Sequence, residues 1–291
     1  MKHFRNTLFA AATALCLALT GCTSVQDDNS DEDDISSVEA VAEESVGNAG
    51  DVEIRSGDTV AEIEIEGFGT IKAKLFPDIA PVGVKNFSML AEQGYYDGKT
   101  IHRVIEDFMF QGGSENGDGT GGDAAYSGEG SSAASFGTEI DENARHIYGA
   151  LCYANALGQN STQFYIVNNK QPQELDGVDT DKLKSIASQA KAAKEAYSAD
   201  TAEYKYYAAM EKQYSALAEW LKQPSDALKD KYKNGGTPSL DGGYTVFGQV
   251  VEGFDVIDKV SAVEVTENGS GEMSKPVEDI IIKTVRVYTA K

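Results

Sequence analysis

The sequence is poor in basic residues, in cysteine and in tryptophan. Its 291 residues include 25 Lys and Arg against 47 Asp and Glu, so the formal net charge is −22. Nucleic-acid phosphates and anionic lipid headgroups both attract basic surfaces, and this charge balance argues against either as a partner. Only three histidines and three cysteines occur, and no cluster of them has the spacing of a metal site.

Long apolar runs are also scarce, and the clearest one lies at the start of the chain. Lys2 and Arg5 precede an apolar run over residues 8–19, which is too short for a mature membrane span and typical of a signal peptide. The run ends in Leu19-Thr20-Gly21-Cys22, which resembles a bacterial lipobox, although an ordinary secretory peptide is the alternative. We predict a signal peptide at residues 1–21, lipidation at Cys22 and an extracytoplasmic protein anchored to the cell membrane as a lipoprotein.

Residues 22–57 contain no aromatic residue, and residues 27–53 contain no basic one. Acids alternate there with Ser, Ala, Gly and Asn, so the segment cannot bury enough apolar surface to offset the entropy of ordering. We predict an acidic disordered tether. A partner-binding acidic tail is the alternative.

The parts of a hydrolase are missing, because no Ser or Cys stands in a recognisable triad motif with a His. Residues 101–113 offer instead one guanidinium, Arg103, and one uncharged amide, Gln111, with Phe108, Met109 and Phe110 between them. If two strands joined by a bend bring the ends of this segment together, the result is an apolar pocket with hydrogen-bond donors on its rim. Such a pocket suits a proline ring and the amide bond beside it.

Rotation about a prolyl amide needs a catalyst but no reagent. The barrier is about 18–20 kcal/mol because the C–N bond is partly double, and both isomers are accessible. An arginine donor aimed at the ring nitrogen would localise its lone pair and weaken the amide resonance. The residues therefore point to an isomerisation without a cofactor or a proton transfer, in which His102 has a structural role.

Several collinear motifs resemble the cyclophilin-type peptidyl-prolyl isomerases. They are His102-Arg103-Val104-Ile105, Phe108-Met109-x-Gln111-Gly112-Gly113, Gly119-Thr120-Gly121-Gly122, Asp141-Glu142-Asn143, Tyr153-Ala154-Asn155-Ala156, Ser161-Thr162-Gln163-Phe164-Tyr165-Ile166, and Leu240-Asp241-Gly242 leading to Val246-Phe247-Gly248. The resemblance implies a mainly β fold, an eight-stranded closed antiparallel β-barrel capped by two helices. It also implies prolyl isomerase activity on proline-containing polypeptide clients, with no cofactor.

The resemblance further implies a role for each site residue. Arg103, Phe108 and Gln111 would be catalytic, with Gln111 orienting both Arg103 and the substrate carbonyl. The substrate-binding residues would be Met109, Ala154, Asn155, Ala156, Gln163, Tyr165, Leu240 and Tyr244. The chain departs from the best-studied members at Ser239, where they carry Trp, and from many members at Tyr165 and Tyr244, where those carry Phe and His.

A dinucleotide fingerprint is matched by letter at Gly117-x-Gly119-x-x-Gly122. The fingerprint requires a helix after the glycines, whereas residues 123–137 are small, Gly- and Ser-rich and without helical periodicity. We interpret the glycines as a tight loop that forms one wall of a peptide groove.

Residues 171–235 fall outside the resemblance, which covers residues 58–170 and 236–291. Apolar residues at helical spacing, with a break near Asp200, predict a helical hairpin inserted in a surface loop. The insertion is either a packed appendage or an arm that recognises unfolded clients through exposed tyrosines (Tyr204, Tyr206, Tyr207 and Tyr214).

Two functions from different classes fit these features. The first is a prolyl isomerase that assists the folding of secreted or surface proteins outside the membrane. The second is a non-enzymatic chaperone or scaffold, whose barrel binds proline segments while the helical insertion holds the client. We expect a monomer in either case, and a free buried thiol at Cys152, which lies in an apolar run.

Overall fold

The computed structural model describes residues 52–291. The predicted signal peptide, Cys22 and nearly all of the predicted tether lie outside the described residues. None of the helices within residues 52–291 combines the length and the apolar character needed to cross a membrane.

An eight-stranded antiparallel barrel forms the body of the molecule. Its strands are β1 (Thr59–Ile65), β2 (Gly69–Leu75), β3 (Thr100–Ile105), β4 (Met109–Gly112), β6 (Ala150–Ala156), β7 (Gln159–Val167), β8 (Val246–Glu252) and β11 (Ile280–Thr289). They follow one another in the order β4, β3, β11, β1, β2, β8, β6, β7, and pairing of β7 with β4 closes the barrel. The closed barrel predicted from the resemblance is thus confirmed, and closure leaves no unpaired sheet edge among these strands.

Two helices cover the barrel core, as predicted. α1 (Pro81–Glu92) begins with a proline, which suits a first turn, and buries Val84, Phe87 and Leu90. α5 (Phe254–Ser261) buries Val256, Ile257 and Val260. These side chains belong to the same cluster as the inward-facing residues of the strands, so each helix contributes an apolar stripe to one continuous core.

Three helices occupy the segment that was predicted as a helical hairpin. They are α2 (Thr180–Lys194), α3 (Ala202–Trp220) and α4 (Asp226–Tyr232). Asp179, Thr201 and Ser225 cap them by accepting a hydrogen bond from a backbone N–H in the first turn. Leu183 and Leu217, from α2 and α3, share a buried cluster with Ile147 of the barrel domain.

The tyrosines of this segment are less exposed than the sequence suggested. Tyr204, Tyr206, Tyr207 and Tyr214 are all only partly exposed. Tyr207 stacks on Tyr197 at 5.9 Å between ring centroids, and Tyr214 packs against the buried cluster around Leu217. The expected tyrosine surface on α3 is therefore only partly exposed, because Tyr207 packs on Tyr197 and Tyr214 packs on the buried cluster.

Three short strands were not predicted. β5 (Phe136–Gly137) pairs with the start of β7, and β9 (Val265–Glu267) pairs with β10 (Met273–Pro276) in a separate hairpin. The turn of that hairpin is closed by a hydrogen bond from the backbone N–H of Asn268 to the carbonyl of Glu272, at 2.8 Å. This hairpin contributes to the site described next.

Candidate active site

The site lies on the outer face of the barrel wall formed by β3, β4 and β7. Successive side chains of a strand point to opposite faces, and Phe110 and Phe164 point into the core. Their neighbours Gln111 and Tyr165 therefore face outward, and they are directly paired across β4 and β7. Arg103 pairs with Gln111 across β3 and β4, which places the three predicted site residues in one row.

Glu272 holds the guanidinium of Arg103. The Nε and Nη2 of Arg103 donate to the two carboxylate oxygens of Glu272 at 2.7 and 2.8 Å. The remaining nitrogen, Nη1, lies 3.8 Å from the sulfur of Met109, and the Cζ of Arg103 lies 5.9 Å from the centre of the Phe108 ring. The carboxylate thus occupies one edge of the guanidinium, while the other edge faces the apolar side chains predicted to hold a proline ring.

The charge of this pair is reflected in the acidity of the carboxyl group. The hydrogen bond from Arg103, together with its positive charge, lowers the pKa of Glu272 below its ordinary value despite partial burial. Both side chains remain partly exposed, at 21% for Arg103 and 24% for Glu272. The Glu272 carboxylate is therefore ionised at neutral pH, and the pair is accessible to a ligand.

An asparagine fixes the turn that carries Phe108. Asn168, directly after β7, accepts a hydrogen bond from the backbone N–H of Phe108 at 2.7 Å and donates to the carbonyl of Ile105 at 3.0 Å. Between these two residues the chain turns at Asp107, which has a positive φ of 54°. This clamp sets the position of the Phe108 ring relative to Arg103.

The rings of Tyr165, Tyr244 and His146 pack against one another at the site. Tyr165 is buried, and its ring lies 6.1 Å from the ring of Tyr244, at 82°. The ring of His146 stacks on that of Tyr165 at 6.1 Å between centroids. Met109 and Leu240 are also buried, at 2% and 6% exposure.

A chain of amides joins Gln111 to the glycine loop. Gln111 donates to the side-chain oxygen of Gln163 at 2.9 Å, and Gln163 donates to the carbonyl of Gly119 at 2.9 Å. The loop is packed closely, since a Cβ added to Gly122 would overlap the hydroxyl of Thr162. The glycines therefore line a polar wall. Gln111 was expected to orient Arg103, but the Gln111 side chain donates to Gln163, whereas the Arg103 side chain donates to Glu272.

His102 stands behind this wall. Its Nδ1 lies 3.4 Å from the hydroxyl of Ser114, which in turn accepts the backbone N–H of Gly119. Burial, reinforced by the positive charge of Arg103, lowers the pKa of His102 to about 4. The imidazole is neutral at physiological pH and supports the loop, in line with the structural role predicted for it.

The remaining predicted substrate contacts lie on β6. Ala154 and Asn155 are partly exposed and Ala156 is exposed. The amide of Asn155 donates to the carbonyl of Gly243 at 2.9 Å and accepts the backbone N–H of Gly158 at 3.1 Å. Asn155 thus joins the β6–β7 turn to the loop that carries Leu240 and Tyr244.

A buried acid anchors that loop to the helical segment. Asp241 accepts hydrogen bonds from the backbone and the ring Nδ1 of His146, at 3.0 and 2.8 Å, and from the hydroxyl of Tyr232 in α4 at 2.6 Å. Arg145 contacts it at 3.3 Å and lies 4.1 Å above the ring of Trp220 in α3. Burial raises the pKa of Asp241, but the bonds and charges of these partners outweigh burial and hold it below its ordinary value.

The structure brings together most of the predicted site and adds residues that were not predicted. Strand pairing, hydrogen bonds and ring contacts link Arg103, Phe108, Met109, Gln111, Gln163, Tyr165 and Tyr244. Leu240 lies in the same loop as Tyr244, and Asn155 contacts that loop at Gly243. Glu272 and Asn168 were missed. Within residues 52–291, no group of three or more His, Cys, Asp or Glu is placed to hold a metal ion.

Comparisons with known proteins agree with the fold. The family model "Cyclophilin type peptidyl-prolyl cis-trans isomerase/CLD" matches residues 60–187 and 197–287. A Staphylococcus aureus protein assigned as a peptidyl-prolyl cis-trans isomerase is 34% identical over 211 residues, which cover 71% of this chain and 81% of that protein. A Staphylococcus haemolyticus protein with the same assignment is 36% identical over 208 residues, covering 71% and 80%.

A solved structure shares the fold. The crystal structure of a Cryptosporidium parvum cyclophilin type peptidyl-prolyl cis-trans isomerase matches with a TM-score of 0.52 at 20% identity, covering 80% of this chain and 99% of that one. The family match runs into α2 and resumes before α3, so the boundaries 171–235 of an insertion relative to the family stay a prediction.

Proposed function

Because the chain belongs to the cyclophilin-type peptidyl-prolyl cis-trans isomerases, and so catalyses rotation about prolyl amide bonds, we propose that Arg103 supplies the donor that lowers the rotation barrier. The observation that carries this proposal is the orientation of the guanidinium. Glu272 takes the Nε and Nη2 edge, and Nη1 is left beside Met109. A proline ring lying on Phe108 and Met109 would bring its nitrogen to that donor.

The chemistry needs only this donor and a shaped pocket. A hydrogen bond to the ring nitrogen draws its lone pair out of the amide resonance, and the C–N bond then rotates more easily. The nitrogen is more basic in the twisted transition state than in the planar ground state, so the donor favours the transition state over the substrate. We propose that Gln111, Gln163 and Asn155 hydrogen-bond the substrate backbone. The residues that would contact the proline ring are Phe108, Met109, Tyr165, Leu240 and Tyr244.

We further propose that the protein acts on secreted or surface proteins outside the cytoplasmic membrane, as a monomeric lipoprotein. The apolar run over residues 8–19 and the lipobox-like Leu19-Thr20-Gly21-Cys22 support this location. A Cys22→Ser variant tests it, and we expect this variant to leave the membrane fraction while the unchanged protein remains there. Equal membrane retention of both forms would contradict the lipid anchor.

The catalytic proposal is tested by cis-to-trans relaxation of an Ala-Pro peptide at low temperature, with the soluble form that starts after Cys22. Loss of one charged hydrogen bond to the transition state costs about 3 kcal/mol, so we expect Arg103→Ala to lower kcat/KM roughly 100-fold. The native fold of the variant is checked by its unfolding midpoint. A folded Arg103→Ala variant with unchanged kcat/KM would contradict the role of Arg103.

α3 and α4 are anchored to the loop that carries Leu240. This anchoring matters for the alternative role of the helical segment, in which it is an arm that holds the client. Gln213 of α3 donates to the carbonyl of Ser239 at 2.8 Å, directly before Leu240. The helices therefore stiffen the loop that carries part of the proline pocket. Binding of an unfolded client to the wild type and to a Tyr197→Ala variant, at an exposed ring of this segment, separates an arm from an appendage.

A further inference from the structure

We infer that Glu272 is a positioning residue for the isomerase reaction, and that the β9–β10 hairpin is the element that holds it in place. This inference rests on the proposed role of Arg103. Glu272 is 169 positions away from Arg103 in sequence, yet its carboxylate forms both of the short hydrogen bonds of that guanidinium.

The carboxylate decides which donors of Arg103 remain available. A guanidinium has five N–H groups in a fixed planar fork, and a carboxylate that binds the Nε and Nη2 edge fixes the plane of that fork. Nη1 then makes no hydrogen bond to the carboxylate and donates only a long one, of 3.8 Å, to the sulfur of Met109, so it lies on the side of the predicted proline-binding residues. Glu272 therefore selects which nitrogen of Arg103 meets the substrate.

The carboxylate also restrains a flexible side chain. A free Arg side chain has about 2 kcal/mol of rotamer entropy, and a donor on the barrel surface would lose it during each turnover. Gln111, the residue expected to orient Arg103, donates to Gln163 instead. Glu272 therefore supplies the restraint in the folded protein, before substrate binds.

The turn that carries Glu272 is itself held by hydrogen bonds. The side-chain oxygen of Asn268 accepts the backbone N–H groups of Ser270 and Glu272, at 2.9 and 3.1 Å. Its amide donates to the hydroxyl of the fully buried Ser274 at 3.1 Å, and approaches Oε2 of Glu272 at 3.4 Å. The backbone position of Glu272 is thus held by its own turn, independently of Arg103.

The test is a series at position 272 measured with the same Ala-Pro peptide. Glu272→Ala keeps the apolar pocket, so we expect KM within about twofold of wild type and kcat lowered about tenfold, because a misplaced donor acts on the transition state. Glu272→Gln keeps one acceptor oxygen, so we expect its kcat to lie between those of wild type and Glu272→Ala. Glu267→Gln, an exposed acid in the same hairpin, is the matched control and should match wild type.

A spectroscopic readout separates positioning from a general loss of structure. In the ¹⁵N–¹H spectrum, the Nε–H of Arg103 should give a slowly exchanging signal in wild type and in Glu267→Gln, and that signal should disappear in Glu272→Ala. Unchanged kcat in Glu272→Ala, with loss of activity in Arg103→Ala, would overturn the role of Glu272 alone. A higher kcat in Glu272→Ala would overturn it too, since the carboxylate would then restrain catalysis.

A failure of the underlying proposal gives a different pattern. If wild type accelerates relaxation and Arg103→Ala does so equally, the donor role of Arg103 is wrong and the role of Glu272 falls with it. If kcat and KM change together in Glu272→Ala, the residue shapes the binding site, and the inference of positioning is overturned.

Discussion

Two arginine–carboxylate pairs lie next to predicted substrate-binding residues, and they differ in burial and in the number of partners. Arg103 and Glu272 are 21% and 24% exposed, and one edge of the guanidinium is left facing the pocket. Arg145 and Asp241 are 6% and 4% exposed. Asp241 also accepts hydrogen bonds from His146 and Tyr232, and the ring of Trp220 covers Arg145.

The difference shows how one kind of ion pair serves two purposes. A buried pair is held by many partners because each unpaired charge in the interior is costly, and such a pair has little left to offer a ligand. A partly exposed pair contributes little to stability. It can, however, present an ordered donor to a substrate. We therefore expect substitutions at Asp241 to change stability and substitutions at Glu272 to change catalysis.

The largest effect is expected for Asp241→Ala. The substitution leaves the Arg145 charge buried without its partner, and removes the acceptor for His146 and Tyr232. Breaking a buried pair typically costs 3–5 kcal/mol, and we expect a loss of about that size in the free energy of unfolding, measured by urea denaturation near pH 7. Glu272→Ala should lose less than about 1 kcal/mol.

The pH dependence of the stability that Asp241 contributes follows from the direction of its pKa shift. The folded pKa of Asp241 lies below its ordinary value, so the stabilisation is complete above the unfolded pKa of about 4 and is lost as the pH falls through the folded value. Equal stability of wild type and Asp241→Ala at pH 7 would show that the buried pair does not hold the helical segment and the loop together.

The next effect is a pH dependence caused by His102. Its pKa is lowered from 6.5 to about 4 in the folded state, so the unfolded state binds more protons between these values. Stability is therefore full above pH 6.5 and falls with pH, by about 2 kcal/mol at pH 5. His102→Gln should flatten this part of the stability curve. The same slope in wild type and variant would assign the loss to other groups.

A smaller effect is expected for Trp220→Leu. The ring of Trp220 covers Arg145 and approaches Gly242, so its loss removes a cation–π contact but no hydrogen bond of Asp241. We expect a loss of about 1–2 kcal/mol in the free energy of unfolding, with kcat/KM within about twofold of wild type. A loss of catalysis without a loss of stability would contradict the structural role of the Arg145–Asp241 pair.

Much of the fold follows from patterns that can be read in the sequence. Alternation around Ile63 and Ile65 predicts a strand, and helical spacing of Val84, Phe87 and Leu90 predicts the helix that covers one part of the core. The barrel and the predicted site residues come from the family resemblance that the collinear motifs carry. These signals are local, since each depends on residues within about one element of each other.

The missed parts depend on contacts that no local pattern contains. The pairing of Glu272 with Arg103 joins elements far apart in the chain, and Asn168 acts on Phe108 from 60 positions away. A partial signal existed, because Asn268-Gly269 between short apolar stretches is typical of a hairpin. The partial burial of the α3 tyrosines could not be predicted from the sequence either, because it depends on how α2 and α3 pack.

The measurement that tests the central claim most directly is the comparison of peptide affinity with catalysed rate in Arg103→Lys. Lysine keeps the positive charge but lacks the planar fork that binds Glu272 with one edge and presents Nη1 with the other. We predict that the dissociation constant of an Ala-Pro peptide stays within about threefold of wild type, while the catalysed exchange rate in NMR exchange spectroscopy falls more than about tenfold. An unchanged exchange rate, or equal losses of affinity and rate, would contradict a donor that acts on the transition state.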